Sequence, residues 1–343
     1  MAAGVIPETI DRLLAGEDIG RDGAAAALRA VMEGEAGDVQ TAGFLIALRA
    51  KGESAEEIAG LASVVRELAE PVTPPEGPFI DTCGTGGGSS TFNISTTSAF
   101  VVAGAGVAVA KHGNRSNTSK CGSADLLEAL GARITLDPDD VSRCLEEVGL
   151  GFMFAPAHHP AFRHIVPVRR ALAVRTVFNL IGPLANPAGA PRQLLGVADA
   201  DYLGRMGDAL AALGSERALI VRGRDGLDEL STAAVNDVIG VSEGTVRASV
   251  IDPAELGFDP PADGHIAGGE PGENAAVTRS VLAGDRGPAR DVVVLNAAAG
   301  LWLAGAADTM EAGVAAAGES IDTGAARDRL DAFVATTRRL AGA

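Results

Sequence analysis

The chain has 343 residues, of which 47% are hydrophobic and 21% are charged, a balance that is typical of a folded globular protein and excludes a disordered one. Its formal net charge of −17 disfavours DNA and RNA as partners, because the average field repels polyanions. A small anionic substrate is compatible with this charge if the site concentrates its own cations or backbone amides.

The expected compartment follows from the cysteines and the apolar segments. Cys83, Cys121 and Cys144 are odd in number and lack metal-ligand spacing, so we expect free thiols. The N-terminus has no basic segment followed by an apolar run, so we expect no signal peptide. The most apolar run, residues 99–110, is interrupted by Gly104 and Gly106 and is too short to span a bilayer. We therefore expect a soluble, cytoplasmic protein with no membrane partner.

The first 70 residues are predicted to be helical. An apolar stripe ends at Gly52, a predicted C-cap. Ser54 and Glu57 have the spacing of a capping box, and apolar residues follow at intervals of three and four. The proline-rich stretch 71–78 cannot be helical and is predicted to be a linker. The sequence thus predicts a helical domain that ends near residue 72.

Beyond the linker, strands and helices alternate, which indicates an α/β sheet with helices on its faces. Residues 166–191, with prolines at four positions, interrupt this rhythm and are expected to return to the helical domain. The predicted strands lie near residues 79–80, 107–110, 134, 152–154, 194–197 and 218–221. The predicted helices lie at 98–103, 124–130, 202–213, 292–304 and 325–340, with another after Asp137-Pro138.

A glycine-rich loop follows the first predicted strand, within residues 81–96. Gly84, Gly86, Gly87 and Gly88 allow backbone N–H groups to approach a phosphate, and hydroxyl and amide side chains lead into the next helix. A tight turn with ordinary helix caps would use the same residues. The loop matches neither the P-loop nor the Rossmann fingerprint.

A second polar loop, residues 111–119, follows the next strand. It carries Lys111 and Arg115 together with amides and hydroxyls, at the sheet end where ligands bind in α/β folds. This composition suits a pyrophosphate, although a solvated basic loop is the simpler alternative. Ser123 opens the following helix, as its predicted N-cap and as a candidate phosphate donor.

An acidic pair, Asp228 and Glu229, follows the strand that ends at Val221. Adjacent carboxylates after a strand are suited to Mg²⁺, a hard cation that prefers oxygen ligands. An acidic pair in a loop is more often solvent-facing, so this interpretation depends on the neighbouring phosphate-binding loop.

Several arginines lie between residues 169 and 175. A guanidinium matches a small carboxylate in geometry and charge, but salt bridges within the protein would use the same residues. The histidines show no zinc-ligand spacing, and no Gly-x-Ser-x-Gly elbow offers a nucleophile for them to serve.

Taken together, these motifs resemble the anthranilate phosphoribosyltransferase family, which shares its fold with pyrimidine nucleoside phosphorylases. The resemblance implies a small all-helical N-terminal domain, a large α/β domain with a central mixed sheet covered by helices, an active site in the cleft between them, and a homodimer joined through the helical domains. We place the helical domain at residues 1–72, joined by part of 166–191, and the phosphoribosyl pyrophosphate-binding domain at 73–343. The matching segments are Gly84-Thr-Gly-Gly87, Asn93-Ile-Ser-Thr96, Lys111-His-Gly-Asn-Arg115, Gly122 to Gly131, Phe154-Ala-Pro156, His159-Pro160, Arg175-Thr-Val-Phe-Asn179, Gly182-Pro-Leu184, Asn186-Pro187 and Asp225-Gly-Leu-Asp-Glu229.

The resemblance also implies roles for individual residues. Lys111, Asp228 and Glu229 are the predicted catalytic residues; Ser95, Asp228 and Glu229 would coordinate Mg²⁺; and Gly84, Asn114 and Arg169 would contact anthranilate, with Arg169 facing its carboxylate. The predicted contacts to phosphoribosyl pyrophosphate are Gly84, Gly87, Gly88, Thr91, Asn93, Ile94, Ser95, Thr96, Lys111, His112, Gly113, Asn114, Arg115, Ser116, Asn117, Thr118, Ser119 and Ser123.

One departure from the family pattern concerns the glycine-rich loop. The family loop usually reads Gly-Thr-Gly-Gly-Asp, whereas here Gly87 is followed by Gly88-Ser-Ser, as if the aspartate were deleted. This places in doubt a carboxylate near the diphosphate. We expect activity to survive, because Lys111, Asp228 and Glu229 remain.

Three alternative functions are open at this stage. A pyrimidine nucleoside phosphorylase would share the fold but is less consistent with the segments around Arg175 and Asp225. A non-catalytic nucleic-acid-binding paralogue would be expected to lose the Lys111 loop and to carry a basic surface. A transferase for a different aromatic amine is harder to exclude than the other two.

Overall fold

The computed structural model describes residues 4–116, 120–261 and 266–342. Its strands are β1 (Phe79–Gly84), β2 (Ala108–Gly113), β3 (Leu150–Phe154), β4 (Arg192–Gly196), β5 (Arg217–Gly223), β6 (Asn236–Ser242) and β7 (Thr245–Ile251). Its helices are α1 (Val5–Leu14), α2 (Gly20–Met32), α3 (Asp38–Lys51), α4 (Ala55–Glu67), α5 (Ile94–Gly104), α6 (Ser123–Leu130), α7 (Pro138–Val148), α8 (Ala155–His158), α9 (Val166–Leu172), α10 (Phe178–Ile181), α11 (Leu203–Ala212), α12 (Pro271–Leu282), α13 (Pro288–Ala304), α14 (Met310–Asp322) and α15 (Ala325–Leu340). Short 3-10 helices lie at Pro160–His164, Gly182–Leu184, Ala200–Tyr202 and Pro253–Leu256.

Helices α1 to α4 form the N-terminal part of the chain. Helix α3 ends at Gly52, whose φ of +88° suits a residue without a side chain. Helix α4 begins with the predicted capping box, in which the Glu57 N–H donates to Ser54 Oγ at 3.3 Å and the Ser54 N–H donates to the Glu57 carboxylate at 2.8 Å. Both cap predictions are confirmed.

The apolar core beneath these helices extends well beyond them. Leu28 and Leu45 belong to the same buried cluster as Ile165 and Phe178, which come from the proline-rich segment. The cluster continues to Leu195, Met206 and Ile220 on β4, α11 and β5. The helical part is therefore packed directly against one face of the sheet, and residues 165–184 pack with it.

The sheet has seven strands in the order β3-β2-β1-β4-β5-β6-β7. Strands β1 to β5 are parallel, whereas β6 pairs antiparallel with both β5 and β7, so the sheet is mixed. Because β1, β2 and β5 run in the same direction, the loops that follow them meet at one edge of the sheet. The predicted fold class is confirmed.

Two local predictions are wrong, and one feature was missed. No strand forms around Ile134; this side chain is buried, but the neighbouring Arg133 N–H donates to the Thr337 hydroxyl on α15 instead of joining a ladder. The edge hairpin β6–β7 was not predicted. The second wrong prediction concerns the N-cap of α6, which is Gly122. Within the described residues, no helix is long and apolar enough to cross a membrane.

Candidate active site

A cavity of about 660 Å³ lies at the carboxyl ends of β1, β2 and β5. It lies between the glycine-rich loop, the Lys111 loop, the acidic pair and the segment around Arg169. Every site residue predicted from the sequence lines this cavity, except Asn117, Thr118 and Ser119, which lie outside the described residues.

Lys111 reaches the cavity from the end of β2. Its side chain is 3% exposed, and its ammonium donates to the Thr82 carbonyl and lies 3.4 Å from Ser95 Oγ. Strand β2 is held beside β1 at this point, because the buried Asp81 carboxylate accepts from the His112 N–H at 3.3 Å and from the Asn186 amide at 2.8 Å. A buried ammonium among oxygens is thus presented where an anion could bind.

The acidic pair faces the start of α5 and the glycine-rich loop. The Ser95 N–H and hydroxyl interact with the Glu229 carboxylate, and the Gly88 N–H donates to Asp228. Both carboxylates touch the cavity but are otherwise enclosed by protein. This desolvation raises the pKa of Asp228, and desolvation together with the Asp228 charge raises the pKa of Glu229. Two enclosed carboxylates beside a serine hydroxyl form a set of hard oxygen donors.

Arg175 also contacts the glycine-rich loop. Its guanidinium donates to the Gly86 carbonyl at 2.9 Å and lies 3.5 Å from the Thr85 carbonyl. Gly86 and Gly87 have φ values of +65° and +93°, so the loop has a conformation that favours glycine.

The loop before α6 is tied to that helix by an aspartate. The Asp125 carboxylate accepts from the Gly122 N–H at 2.9 Å and from the Ser116 N–H at 3.2 Å, and Gly122 is the N-cap. The N-cap prediction for Ser123 is therefore wrong: Ser123 is the first helical residue, and its hydroxyl donates to the Asn114 carbonyl at 3.2 Å. Within the first turn, the Ala124 N–H donates to the Asn114 carbonyl at 3.2 Å, so this N–H group is satisfied without an N-cap side chain.

Arg115 also lines the cavity, but its guanidinium is paired with carboxylates of α6. It lies 2.9 Å from Asp125 and 2.5 Å from Glu128, and it stacks 5.6 Å from the Phe154 ring centroid. Its predicted contact with a phosphate stays a prediction.

The far wall of the cavity is aromatic. The Nε2 atoms of His112 and His159 are 3.2 Å apart, and the His159 ring stacks on Phe162 with 5.2 Å between centroids. Phe162 meets Phe178 edge-on at 5.5 Å, and the Arg169 guanidinium lies 5.1 Å from the Phe178 centroid. Within the described residues, no carboxylate pairs with Arg169, and its burial lowers the pKa of its guanidinium. The wall therefore presents flat apolar surfaces beside a cation, a combination that suits an aromatic carboxylate.

Comparisons with known proteins agree with this geometry. Residues 7–69 match the family described as "Glycosyl transferase family, helical bundle domain", and residues 76–327 match "Glycosyl transferase family, a/b domain". The anthranilate phosphoribosyltransferase of Rubrobacter xylanophilus is 51% identical over 98% of this chain and 99% of its own length.

Solved structures show the same likeness. The anthranilate phosphoribosyltransferase of Thermus thermophilus is 44% identical, with a TM-score of 0.90 over 96% of this chain and 99% of that chain. The Saccharomyces cerevisiae enzyme in complex with PRPP and Mg is 28% identical, with a TM-score of 0.87 over 97% of this chain and 98% of that chain.

The chain belongs to the anthranilate phosphoribosyltransferase family.

The structure shows what stands at the position of the aspartate that is missing from the glycine-rich loop. Gly88 occupies the position after Gly87, and a Cβ placed there would lie 2.8 Å from Asp228 Cγ and would overlap Asp228 Oδ1. The carboxylate of Asp228 itself therefore lies against the loop at the place where an aspartate is missing.

Several cavity residues of this family member were missed as site residues by sequence reasoning. His159 and Phe178 stand in motifs that carried the resemblance, but nothing in their spacing indicated that they line the site. Arg175 was among the arginines considered for a carboxylate, but its contact with the glycine-rich loop was not predicted. Phe162 carried no signal at all. Within the described residues, no three His, Cys, Asp or Glu side chains cluster as a metal site.

Proposed function

We propose that this chain transfers the phosphoribosyl group of phosphoribosyl pyrophosphate to the amine of anthranilate, giving N-(5-phosphoribosyl)anthranilate and pyrophosphate in tryptophan biosynthesis. Family membership at 51% identity over nearly the whole chain carries this proposal. The cavity supports it, because one space joins a cation, a glycine-rich loop, an oxygen donor set and an aromatic wall.

We assign the sugar donor to the two polar loops. The N–H groups and hydroxyls of the glycine-rich loop and of the start of α5 would bind its phosphates, and Lys111 would neutralise part of their charge. The residues in this assignment are those predicted from the sequence, from Gly84 to Thr96 and from Lys111 to Ser123. Asn117, Thr118 and Ser119 are included from the sequence alone.

The donor set of Ser95, Asp228 and Glu229 fits Mg²⁺, because all three offer hard oxygen ligands and two of them are enclosed carboxylates. When bound, Mg²⁺ supplies charge neutralisation for a departing pyrophosphate. The yeast relative, whose solved complex contains PRPP and Mg, supports this assignment.

The chain's own residues have three tasks in the reaction. Lys111 and the loop N–H groups stabilise negative charge as the bond between the anomeric carbon and pyrophosphate breaks and its electron pair leaves with the pyrophosphate. Arg169 holds the anthranilate carboxylate, and Gly84 and Asn114 also contact anthranilate, so that the amine lone pair is positioned to form the new C–N bond. An aromatic amine is unprotonated at neutral pH, so no strong general base is needed before attack. The proton that the nitrogen loses once the C–N bond forms passes to the departing pyrophosphate or to solvent.

The remaining assignments concern the domain bounds, the compartment and the oligomeric state. We propose a helical domain at residues 1–72, joined by part of 166–191, and an α/β domain from residue 73. We also propose a cytoplasmic homodimer joined through the helical domain. Leu14, Val39 and Ile46 support this interface, since they are large apolar side chains, 70%, 87% and 40% exposed, on α1 and α3.

The experiment is a fluorescence assay that follows loss of anthranilate in the presence of phosphoribosyl pyrophosphate and Mg²⁺. The wild-type chain is expected to consume anthranilate, and the double variant Asp228→Ala/Glu229→Ala is expected to lose about a hundredfold or more of the rate. The matched control is Glu146→Ala/Glu147→Ala, an exposed acidic pair on α7. Wild-type turnover of uracil or thymine nucleosides with phosphate, and none of anthranilate, would replace this proposal with the phosphorylase.

A further inference from the structure

Asn93 stands at the N-cap of α5 but does not cap it. An asparagine in this position usually accepts a hydrogen bond from an N–H group of the first turn. Here no side-chain cap bond forms. Instead, Asn93 Oδ1 accepts from Asn274 Nδ2 at 2.9 Å, and Asn93 Nδ2 donates to the Cys121 carbonyl at 3.0 Å. The amide of Asn93 is thus turned away from its own helix.

Asn274 is placed to hold that orientation. It lies in the first turns of α12 and is 1% exposed. Its Oδ1 accepts from the Gly269 N–H at 2.8 Å, so its NH₂ group is the end that faces Asn93. Because an NH₂ group can only donate, its partner on Asn93 must be the amide oxygen. Asn274 does not line the cavity.

The segment before α12 is itself joined to the glycine-rich loop. Thr91 forms an antiparallel bridge with Ala267, and the Phe92 N–H donates to the Ile266 carbonyl at 3.2 Å. The Gly268 N–H donates to the Ser90 carbonyl at 3.2 Å. These hydrogen bonds fix the position of helix α12 relative to the loop, and with it the position of Asn274.

The first turn of α5 has no side-chain cap as a result, although its Ser95 N–H meets the Glu229 carboxylate. Thr96, in that turn, is 2% exposed and lines the cavity, and its Oγ1 has no hydrogen-bond partner within the described residues. A buried hydroxyl without a partner is costly unless a ligand satisfies it. Together with the uncapped helix start, this hydroxyl indicates where anionic oxygens bind.

We propose that Asn274 is a positioning residue for the sugar donor: it holds the Asn93 oxygen away from the first turn of α5 and so keeps the part of that turn at Thr96 free for the donor's phosphate oxygens. This inference rests on the proposed function. Without Asn274, the Asn93 side chain turns back, caps α5 and competes with the phosphate.

The test compares Asn274→Ala with a control on the same helix. Thr278 lies one turn further along α12 and is fully buried, and its hydroxyl is 3.0 Å from Thr97 Oγ1 on α5. Thr278→Val therefore removes a buried hydrogen bond between the same two helices without a direct contact to the Asn93 side chain. KM for phosphoribosyl pyrophosphate, KM for anthranilate, kcat and the thermal midpoint are measured for each variant, with Asn274→Ser as a second, milder replacement.

Asn274→Ala is expected to raise KM for phosphoribosyl pyrophosphate about fivefold to tenfold, the effect of one hydrogen bond, while KM for anthranilate and kcat change less than about twofold. Thr278→Val is expected to lower the thermal midpoint without this selective change. In an Asn93→Ala background the effect of Asn274→Ala is expected to vanish, because Asn274 acts through Asn93.

Equal effects of the two α12 variants on KM, or an undiminished effect of Asn274→Ala in the Asn93→Ala background, would overturn the positioning role and leave only helix packing. A wild-type chain that does not consume anthranilate with phosphoribosyl pyrophosphate would instead overturn the proposed function. The two failures are therefore distinguishable.

Discussion

Gly88 shows how one backbone position controls the acidic pair. Its N–H donates to the Asp228 carboxylate, and there is no room for a Cβ between the loop and that carboxylate. Gly87 is restricted in a similar way, since a Cβ there would lie 2.9 Å from Arg175 Cζ and its φ is +93°. The glycines are needed for close approach to charged side chains as well as for access to a ligand.

We predict that Gly88→Ala weakens Mg²⁺ binding, because the new methyl group displaces the Asp228 carboxylate. The Mg²⁺ concentration for half-maximal rate should rise about tenfold, the effect of a modest steric displacement. Titration of Mg²⁺ against initial rate measures it. Gly204→Ala is the control, because a Cβ at Gly204 meets nothing within 4 Å. An unchanged half-saturation in Gly88→Ala would show that Asp228 does not need this contact.

Helix α13 supports the acidic loop from inside the molecule. Asn296, fully buried, accepts from the Leu230 N–H at 3.1 Å and donates to the Leu230 carbonyl at 2.8 Å. Leu230 is the residue after Glu229, so a helix far along the chain determines the position of the acidic pair. Such two-point contacts by a buried amide leave a loop little freedom.

We predict that Asn296→Ala destabilises the fold by about 2 kcal/mol, because it leaves a buried N–H and a buried carbonyl unpaired. It should also raise the Mg²⁺ requirement, because the Glu229 loop becomes mobile. Urea unfolding and a Mg²⁺ titration measure the two effects. Ser320→Ala, which removes a buried 2.8 Å hydrogen bond to the Val101 carbonyl, should reduce stability only. A loss of stability with unchanged Mg²⁺ dependence in Asn296→Ala would contradict the prediction.

At the scale of the whole molecule, burial keeps the histidines at the cavity neutral. Burial lowers the pKa of His159 from 6.5 to about 4 and lowers the pKa of His112 well below its usual value. The unfolded chain binds a proton near pH 6.5, whereas the folded chain does not until about pH 4. The contribution of His159 to stability is therefore complete above pH 6.5 and is lost as the pH falls towards 4.

We predict that lowering the pH from 7 to 5 reduces the free energy of unfolding by about 2 kcal/mol through His159 alone. The buried carboxylates with raised pKa, such as Asp81, act in the opposite direction, so the comparison must be between variants. Urea unfolding at both pH values should show that the free energy of unfolding falls less between pH 7 and pH 5 in His159→Gln than in the wild type. His164→Gln, at a half-exposed histidine, is the control. An equal decrease in the free energy of unfolding in His159→Gln and the wild type would show that His159 does not cause this pH dependence.

Local signals in the sequence predicted much of the fold. The capping box at Ser54, the C-cap at Gly52 and the helix start after Asp137-Pro138 depend on contacts within one or two turns, and the structure confirms all three. Strand–helix alternation was sufficient for the α/β class. The strand predicted at Ile134 is wrong because a single apolar residue cannot show the alternation that defines a strand. Strand β7 was not predicted because it is mostly exposed and lacks a clear apolar face.

The sequence by itself determined the family, the fold class and the segments that line the site, because glycine-rich turns, charged loops after strands and helix caps are local patterns in the chain. Only the tertiary structure decided which distant side chains hold those segments in place. Asn274 and Asn296 lie 181 and 66 residues from the groups they position. A buried amide is recognised as functional only when its partner is known, and that partner is selected by packing rather than by spacing.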